Sequence, residues 1–242
     1  LEKVSAEEIS TARILLEAAS GRGFGVPALL RDVLARMAAA DSGRKLPTIL
    51  ITGEIYVRLE AFANGFLAEA LGDRGIRVLL ESSTEVLKYS EHTALKGGQK
   101  SGPKAQLSAK VQDRLLELCL RESPRMLGMA PRPTVRETLT AAGPYMRDAL
   151  EGETVLSLGG PIHAWRHGAI DATIVAGPLE CMPNKLAEAQ YLHVTEKEGL
   201  PALVLSMGGD PIDPEIIDNF IFDIKRRRGG LASEAHRVML DA

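Results

Sequence analysis

Two cysteines, Cys119 and Cys181, are all that the 242 residues contain. That is too few for a disulfide framework and points to a reducing, cytoplasmic setting. No window reaches the run of about 18 apolar residues needed to cross a bilayer, and no signal-peptide pattern opens the chain. A surplus of one charge is missing too. The formal balance is -3, so nothing favours nucleic acid or an anionic membrane as a partner. Signature motifs are equally sparse: there is no G-x-S-x-G elbow, and the Lys-Ser pair of "LKGGQKSGPK" does not fit GxxxxGK[ST]. The chain opens on Leu1 rather than methionine, and is expected to be a piece of something longer.

What is present is ordinary globular composition, 45% hydrophobic and 25% charged. It suffices for one large α/β domain or a domain with a helical appendage. Residues 1–44 read as a helical arm. Ser5 with Glu8 makes a capping-box pattern, Ile9, Ala12, Leu15, Leu16 and Ala19 recur at helical spacing, and "ALLRDVLARMAAA" resumes after the glycine turn Gly21–Pro27. Those glycines follow a helix rather than a strand and lack GxGxxG spacing, so they read as a turn.

Residues 45–242 read as one α/β lobe, with a mobile loop at about 95–104. Compact apolar strands are expected at about 48–55, 77–82, 172–177 and 202–207, and helices alternate with them. That alternation predicts a parallel sheet with helices on both faces, flavodoxin- or Rossmann-like in layout. Further helices are expected over "AQLSAKVQDRLLELCLRE" and around "AAGPYMRDALEG", and "ETVLSLGGPIHAWRHG" reads as helix in preference to strand. The basic run Lys225–Arg228 is expected to close the last helix and complement its dipole.

Ligands of open parallel sheets bind beyond the carboxyl ends of the strands. Three segments should share that rim: Gly53–Arg58, Gly177–Asn184 and Met207–Asp213. In the first, Gly53 lets backbone approach a ligand, Glu54 and Arg58 supply an acceptor and a fork of donors, and Tyr56 and Asn64 complete the wall. A Glu54–Arg58 pair that merely pins the loop is the structural alternative. In the second, Cys181 lies at a helix start with Pro183 and Asn184 in capping or first-turn positions, where amide hydrogens favour a thiolate. In the third, Asp210 faces the crevice and Asp213 caps a helix. Cys119 reads as a core residue. His163 and His167, at i and i+4, have the spacing of paired metal ligands, but Ala164 replaces the glutamate of HExxH.

Two rim segments carry a resemblance. "ITGEIYVRLEAFANGFLAEAL" and "VAGPLECMPNKLAEA" resemble the GEIYVR and PFGC-[LM]-P segments of 2-hydroxyacyl-CoA dehydratase-like proteins. The dehydratase-related portion of acyl-CoA dehydratase activase-related proteins is the nearest match. The similarity runs from about Pro47 to Arg228. It implies two Rossmann-like lobes plus helices, with an oxygen-sensitive iron–sulfur cluster held by cysteines between the lobes. That cluster passes one electron to a 2-hydroxyacyl-CoA, and water leaves by a ketyl-radical route. An activase partner with an actin-like ATPase fold supplies the electron at the expense of ATP. Cys181 falls on the family's cluster cysteine.

The departures are specific. Leu179-Glu180 replaces Phe-Gly before Cys181, which sets a carboxylate beside the thiol. The aspartate-glycine pair expected after the last strand reads Gly208-Gly209-Asp210. A cubane cluster needs several thiolates, so the cluster is expected in the full-length protein or complex and not in this chain alone. Three functions compete. The first is a lobe of such an iron–sulfur protein that contributes Cys181 and crevice loops for acyl-CoA or the activase. The second is a non-catalytic interaction lobe that keeps the fold alone. A thiol-dependent hydrolase is the third, and it lacks a positioned histidine.

Overall fold

The computed structural model describes residues 26–40, 43–98, 124, 127, 129–147 and 152–240. The expected Ser5–Glu8 capping box, the glycine turn up to residue 25, the helix carrying Cys119 and the expected mobile loop from residue 99 onward lie outside these residues. Two compact units are present. One comprises residues 1–44 and 99–132. In it α1 (Val26–Ala40) forms from a run of alanine, leucine and arginine, and an exposed Arg36–Asp32 pair spans one turn at 3.1 Å. The other unit, residues 45–98 and 133–242, holds the sheet.

Four strands make that sheet: β1 (Thr48–Gly53), β2 (Arg77–Leu80), β3 (Ala172–Pro178) and β4 (Ala202–Met207). Their order is β2-β1-β3-β4 and every pairing is parallel, with Ile49 opposite both Val78 and Ala172, and Thr173 opposite Ala202. Between β1 and β2 come α2 (Ile55–Leu59) and α3 (Leu67–Asp73). The longer path from β2 to β3 carries α4 (Ser83–Lys96), α5 (Val135–Ala142) and α6 (Thr154–Arg166). Helix α7 (Met182–Glu198) joins β3 to β4, and α8 (Pro214–Leu240) follows. This is the α/β, flavodoxin- or Rossmann-like arrangement expected from the alternation of elements. The chain leaves β1 toward β2 on one side and later returns to β3 on the other, so the direction of winding reverses between β1 and β3.

Period-two alternation divides the strand residues between two cores. Ile49, Ile51, Ala172, Ile174 and Ala176 pack with Leu67 and Leu71 of α3 and with Ile217, Ile221 and Ile224 of α8. On the opposite face Leu50 and Val175 pack with Val155, Leu158 and Ile162 of α6 and with Ala187, Tyr191 and Val194 of α7. Both faces are therefore covered, as a parallel sheet requires.

Helix α6 carries Pro161 in its interior, where a proline cannot donate to the carbonyl four residues back. That carbonyl belongs to Ser157, and the Tyr191 hydroxyl of α7 donates to it at 2.5 Å. The bond that the proline removes is thus replaced from the neighbouring helix. Burial of Tyr191 pushes its phenol well above the ordinary range, so it remains a donor.

Two expectations need correction. The helix expected around "AAGPYMRDALEG" lies earlier: α5 starts at the Thr134–Glu137 capping box and ends at Ala142, so that Gly143–Arg147 is not helical, and Pro144 has no N–H to continue the helix. The basic run does not close the last helix, because Gly229 stays helical and α8 continues to Leu240. A glycine stops a helix by taking left-handed backbone, and Gly229 does not. The run instead ties the helix sideways, with Lys225 Nζ donating to Arg74 O at 2.8 Å and Arg228 pairing with Asp171 at 3.3 Å.

Helices α5 and α6 meet at Gly159, where an added Cβ would lie 2.1 Å from the Thr138 carbonyl oxygen. Glycine to alanine in a helix interior ordinarily stabilises by about 1 kcal/mol. Here the expected sign is reversed: Gly159→Ala destabilises by about 2 kcal/mol or more through overpacking, read as a lower denaturant midpoint. A midpoint that rises would mean the helices do not approach this closely.

Candidate functional site

At the carboxyl edge of the sheet, the ends of β1 and β3 approach closely. Gly53 has φ 110, and a Cβ on it would stand 2.1 Å from the Ala176 carbonyl oxygen. Only glycine fits that approach. One residue on, the Glu54 amide donates to Ala176 O at 2.9 Å, which carries the β1–β3 ladder past the end of β1. The Glu54 carboxylate then caps α2, accepting from Tyr56 N at 3.1 Å and Val57 N at 2.8 Å.

Arg58 does not pair with Glu54. It is 1% exposed and turns beneath the loop, where Nη1 donates to Gly53 O at 3.0 Å and to Glu81 Oε2 at 3.3 Å. Nη2 donates to Ser82 O at 3.3 Å. Thr52 of β1 also donates to Glu81. The guanidinium therefore ties the loop after β1 to the loop after β2 and offers the crevice no free fork of donors. Asn64 is similarly internal, donating to Val57 O at 2.9 Å and accepting from Leu67 N at 3.1 Å. Tyr56 stands exposed on the rim.

After β3 the chain turns through Leu179 and Glu180. The Leu179 amide donates to Met207 O at 2.9 Å, extending the β3–β4 ladder as Glu54 extends the other. Glu180 takes a left-handed φ of 61, a conformation that costs a side-chain-bearing residue about 1 kcal/mol. Cys181 is the N-cap residue of α7, half-buried, and its side chain makes no capping bond. Pro183 stands in the first turn, where its missing N–H costs no bond. The Pro183 carbonyl accepts from Thr154 Oγ1 at 3.1 Å, which joins the start of α6 to the start of α7.

Asn184 follows and is 3% exposed, yet neither its Oδ1 nor its Nδ2 has a partner among the described residues. Its amide lies over Gly177, where a Cβ would come within 2.6 Å of Cγ. A buried amide without partners costs about 1–3 kcal/mol, so this residue is not explained by packing. Asp210 is exposed in the bend after β4, and Asp213 Oδ1 accepts from Glu215 N at 2.9 Å to cap α8. The connections after β1 and β4 come near each other at Gly65, where an added Cβ would lie 3.7 Å from the Ile212 side chain.

Glu81 and Glu153 belong to this rim and have no counterpart in the motif reading. Burial pushes the Glu153 carboxyl above its usual range; nearby Arg58 opposes that shift and nearby Glu54 adds to it. Its sequence signal is weak, because a glutamate just before a helix ordinarily reads as a solvated first-turn charge. Among the described residues no three His, Cys, Asp or Glu side chains gather as a metal site. Cys181 is the one free thiol there, so this donor set does not fit a complete iron–sulfur cluster.

The histidine pair lies elsewhere, in an open depression between α5 and α6 lined by Thr134, Glu137, His163, Arg166 and His167 among others. The two imidazoles stack with centroids 4.0 Å apart and planes inclined by 25°. Burial lowers the His163 pKa, and neighbouring His167 adds to the effect. Glu137 Oε2 accepts from the Thr134 amide and hydroxyl, each at 2.8 Å. Those bonds hold its carboxyl below the usual range. Comparison with protein-family models, with curated proteins and with solved structures finds no match to this chain.

Proposed function

We propose that this chain is a lobe of a 2-hydroxyacyl-CoA dehydratase-type iron–sulfur protein, contributing Cys181 as one ligand of a site completed by another lobe or subunit. The observation that carries this reading is the start of α7. A half-buried thiol whose side chain takes no part in capping sits at the head of a 17-residue helix, at the reversal point of a parallel sheet, where ligands of this fold class bind. The unsatisfied, buried amide of Asn184 one turn further supplies an independent sign that the region is built for a partner group. Exposed Tyr56, Phe62, Leu179 and Met182 on the connections after β1 and β3 supply apolar area for a covering surface. When bound, the cluster would supply one-electron chemistry; the part of this chain is to hold one thiolate and to shape the crevice for acyl-CoA or an ATP-dependent activase.

Two measurements test it. Iodoacetamide should label Cys181 in the native state, followed on its own peptide by mass spectrometry. Anaerobic iron and sulfide analysis of the protein at its natural length should find both, and Cys181→Ser should lower both. An unreactive Cys181, or metal content indifferent to Cys181→Ser, overturns the ligand role. A second reading, an interaction lobe without cluster chemistry, is favoured by the donor set and by Glu180, the acidic residue that precedes Cys181 in the sequence. Absence of iron at natural length, with Cys181 still reactive, selects it.

A further inference from the structure

We propose that His163 and His167 form a binding site for a divalent transition ion of the zinc, nickel and copper group on the surface where α5 meets α6. The site is separate from the rim and does not rest on the reading given for it. His163 lies in the last turn of α6 and His167 is its C-cap residue, four positions on, the spacing by which helices present paired imidazole ligands. Their rings already stand together, with centroids 4.0 Å apart. Stacked rings inclined by 25° do not yet aim two nitrogens at one ion, so binding requires the His163 ring to turn about its side-chain bonds until the nitrogens stand about 3.4 Å apart around a shared ion at about 2.0–2.1 Å.

The proton positions are set by the backbone. His167 Nδ1 lies 2.8 Å from the His163 carbonyl oxygen. A carbonyl can only accept, so Nδ1 carries the proton and Nε2 keeps its lone pair. A ligating histidine usually shows this arrangement, donating its other N–H to a backbone carbonyl that fixes tautomer and ring orientation.

Charge on the depression selects a cation over an anion. Arg166 is committed to Glu198, through Nε to Oε2 at 3.0 Å and through Nη2 to Oε1, which leaves Arg136 as the opposing charge on the wall. Glu137 lies on the same wall, and its Oε1 has no bond among the described residues while Oε2 serves the helix cap. An anion would meet that carboxylate and two lone-pair nitrogens. Imidazole donors suit zinc, nickel and copper better than calcium or magnesium, which prefer oxygen. Water would fill the remaining coordination positions.

The test is calorimetric titration of the chain with zinc chloride alone at neutral pH. One saturable equivalent is expected, weakened at least about tenfold by His167→Ala and by His163→Gln, the scale on which even second-sphere changes act. Cys181→Ala should leave it unchanged. His167 is exposed, so its removal does not threaten the fold, and an unaltered circular dichroism spectrum excludes unfolding as the cause of lost binding. In proton NMR, the imidazole signals of these two residues should be the histidine signals that shift first. No saturable binding, binding indifferent to both histidine variants, or binding abolished by Cys181→Ala overturns the proposal.

Discussion

Arg58→Ala should lower the unfolding free energy by about 3–5 kcal/mol, the usual cost of removing one member of a buried ion pair. The pair qualifies because both side chains are shielded, at 1% and 6% exposure. Loss of the guanidinium leaves Glu81 beneath the loop with Thr52 as its side-chain donor, and it removes one bond each from the Gly53 and Ser82 carbonyls, the second of which keeps the Glu85 amide. Arg58→Lys should recover only part, because one ammonium cannot reach three acceptors with a planar fork's geometry. The double variant Arg58→Met with Glu81→Gln should be more stable than Arg58→Ala, since no unpaired charge is left behind. Urea unfolding monitored by circular dichroism separates these cases. A loss below about 1 kcal/mol in Arg58→Ala would place the pair among exposed salt bridges and remove the strut from the rim.

Gly53→Ala should be the most damaging single methyl in the sheet unit, at about 4 kcal/mol or more. Two costs coincide there. The backbone has φ 110, and the new Cβ would meet a backbone oxygen at 2.1 Å rather than a side chain that can rotate away. Gly75→Ala is the control: it has φ 74 and nothing within 4 Å, so it carries only the left-handed penalty of about 1–2 kcal/mol. Equal losses at the two positions would show that conformation alone matters and that the approach of β1 to β3 is looser than described.

The sheet was legible because β-branched runs broken by glycine or proline mark buried parallel strands at short range. All four observed strands fall within a few residues of their expected positions, and Asp213 opens α8 while Gly199 closes α7, each by local chemistry. The rim was legible as a location, since strand ends follow from strand direction. Its wiring was not. Glu54 and Arg58 stand four residues apart and invite a local pair, but the short helix between them takes Glu54 as its cap, and Arg58 finds Glu81 at the end of the next strand. That partner is set by strand pairing, which one segment of sequence does not reveal. The helix over "ETVLSLGGPIHAWRHG" was legible from its periodicity, but not the bond by which Tyr191 of α7 satisfies the carbonyl that Pro161 leaves free. Position 180 takes left-handed backbone, and Glu180 occupies it under strain, which no single-residue pattern in the sequence announces.

The hydrogen bond from Glu54 to Ala176 seals the seam between β1 and β3 at its mouth. In many doubly wound proteins that seam opens into a cleft deep enough to swallow a cofactor. Here the pairing persists one residue beyond Gly53. Anything that settled at this edge would therefore meet the loop residues after β1 and β3 before it met the paired strands.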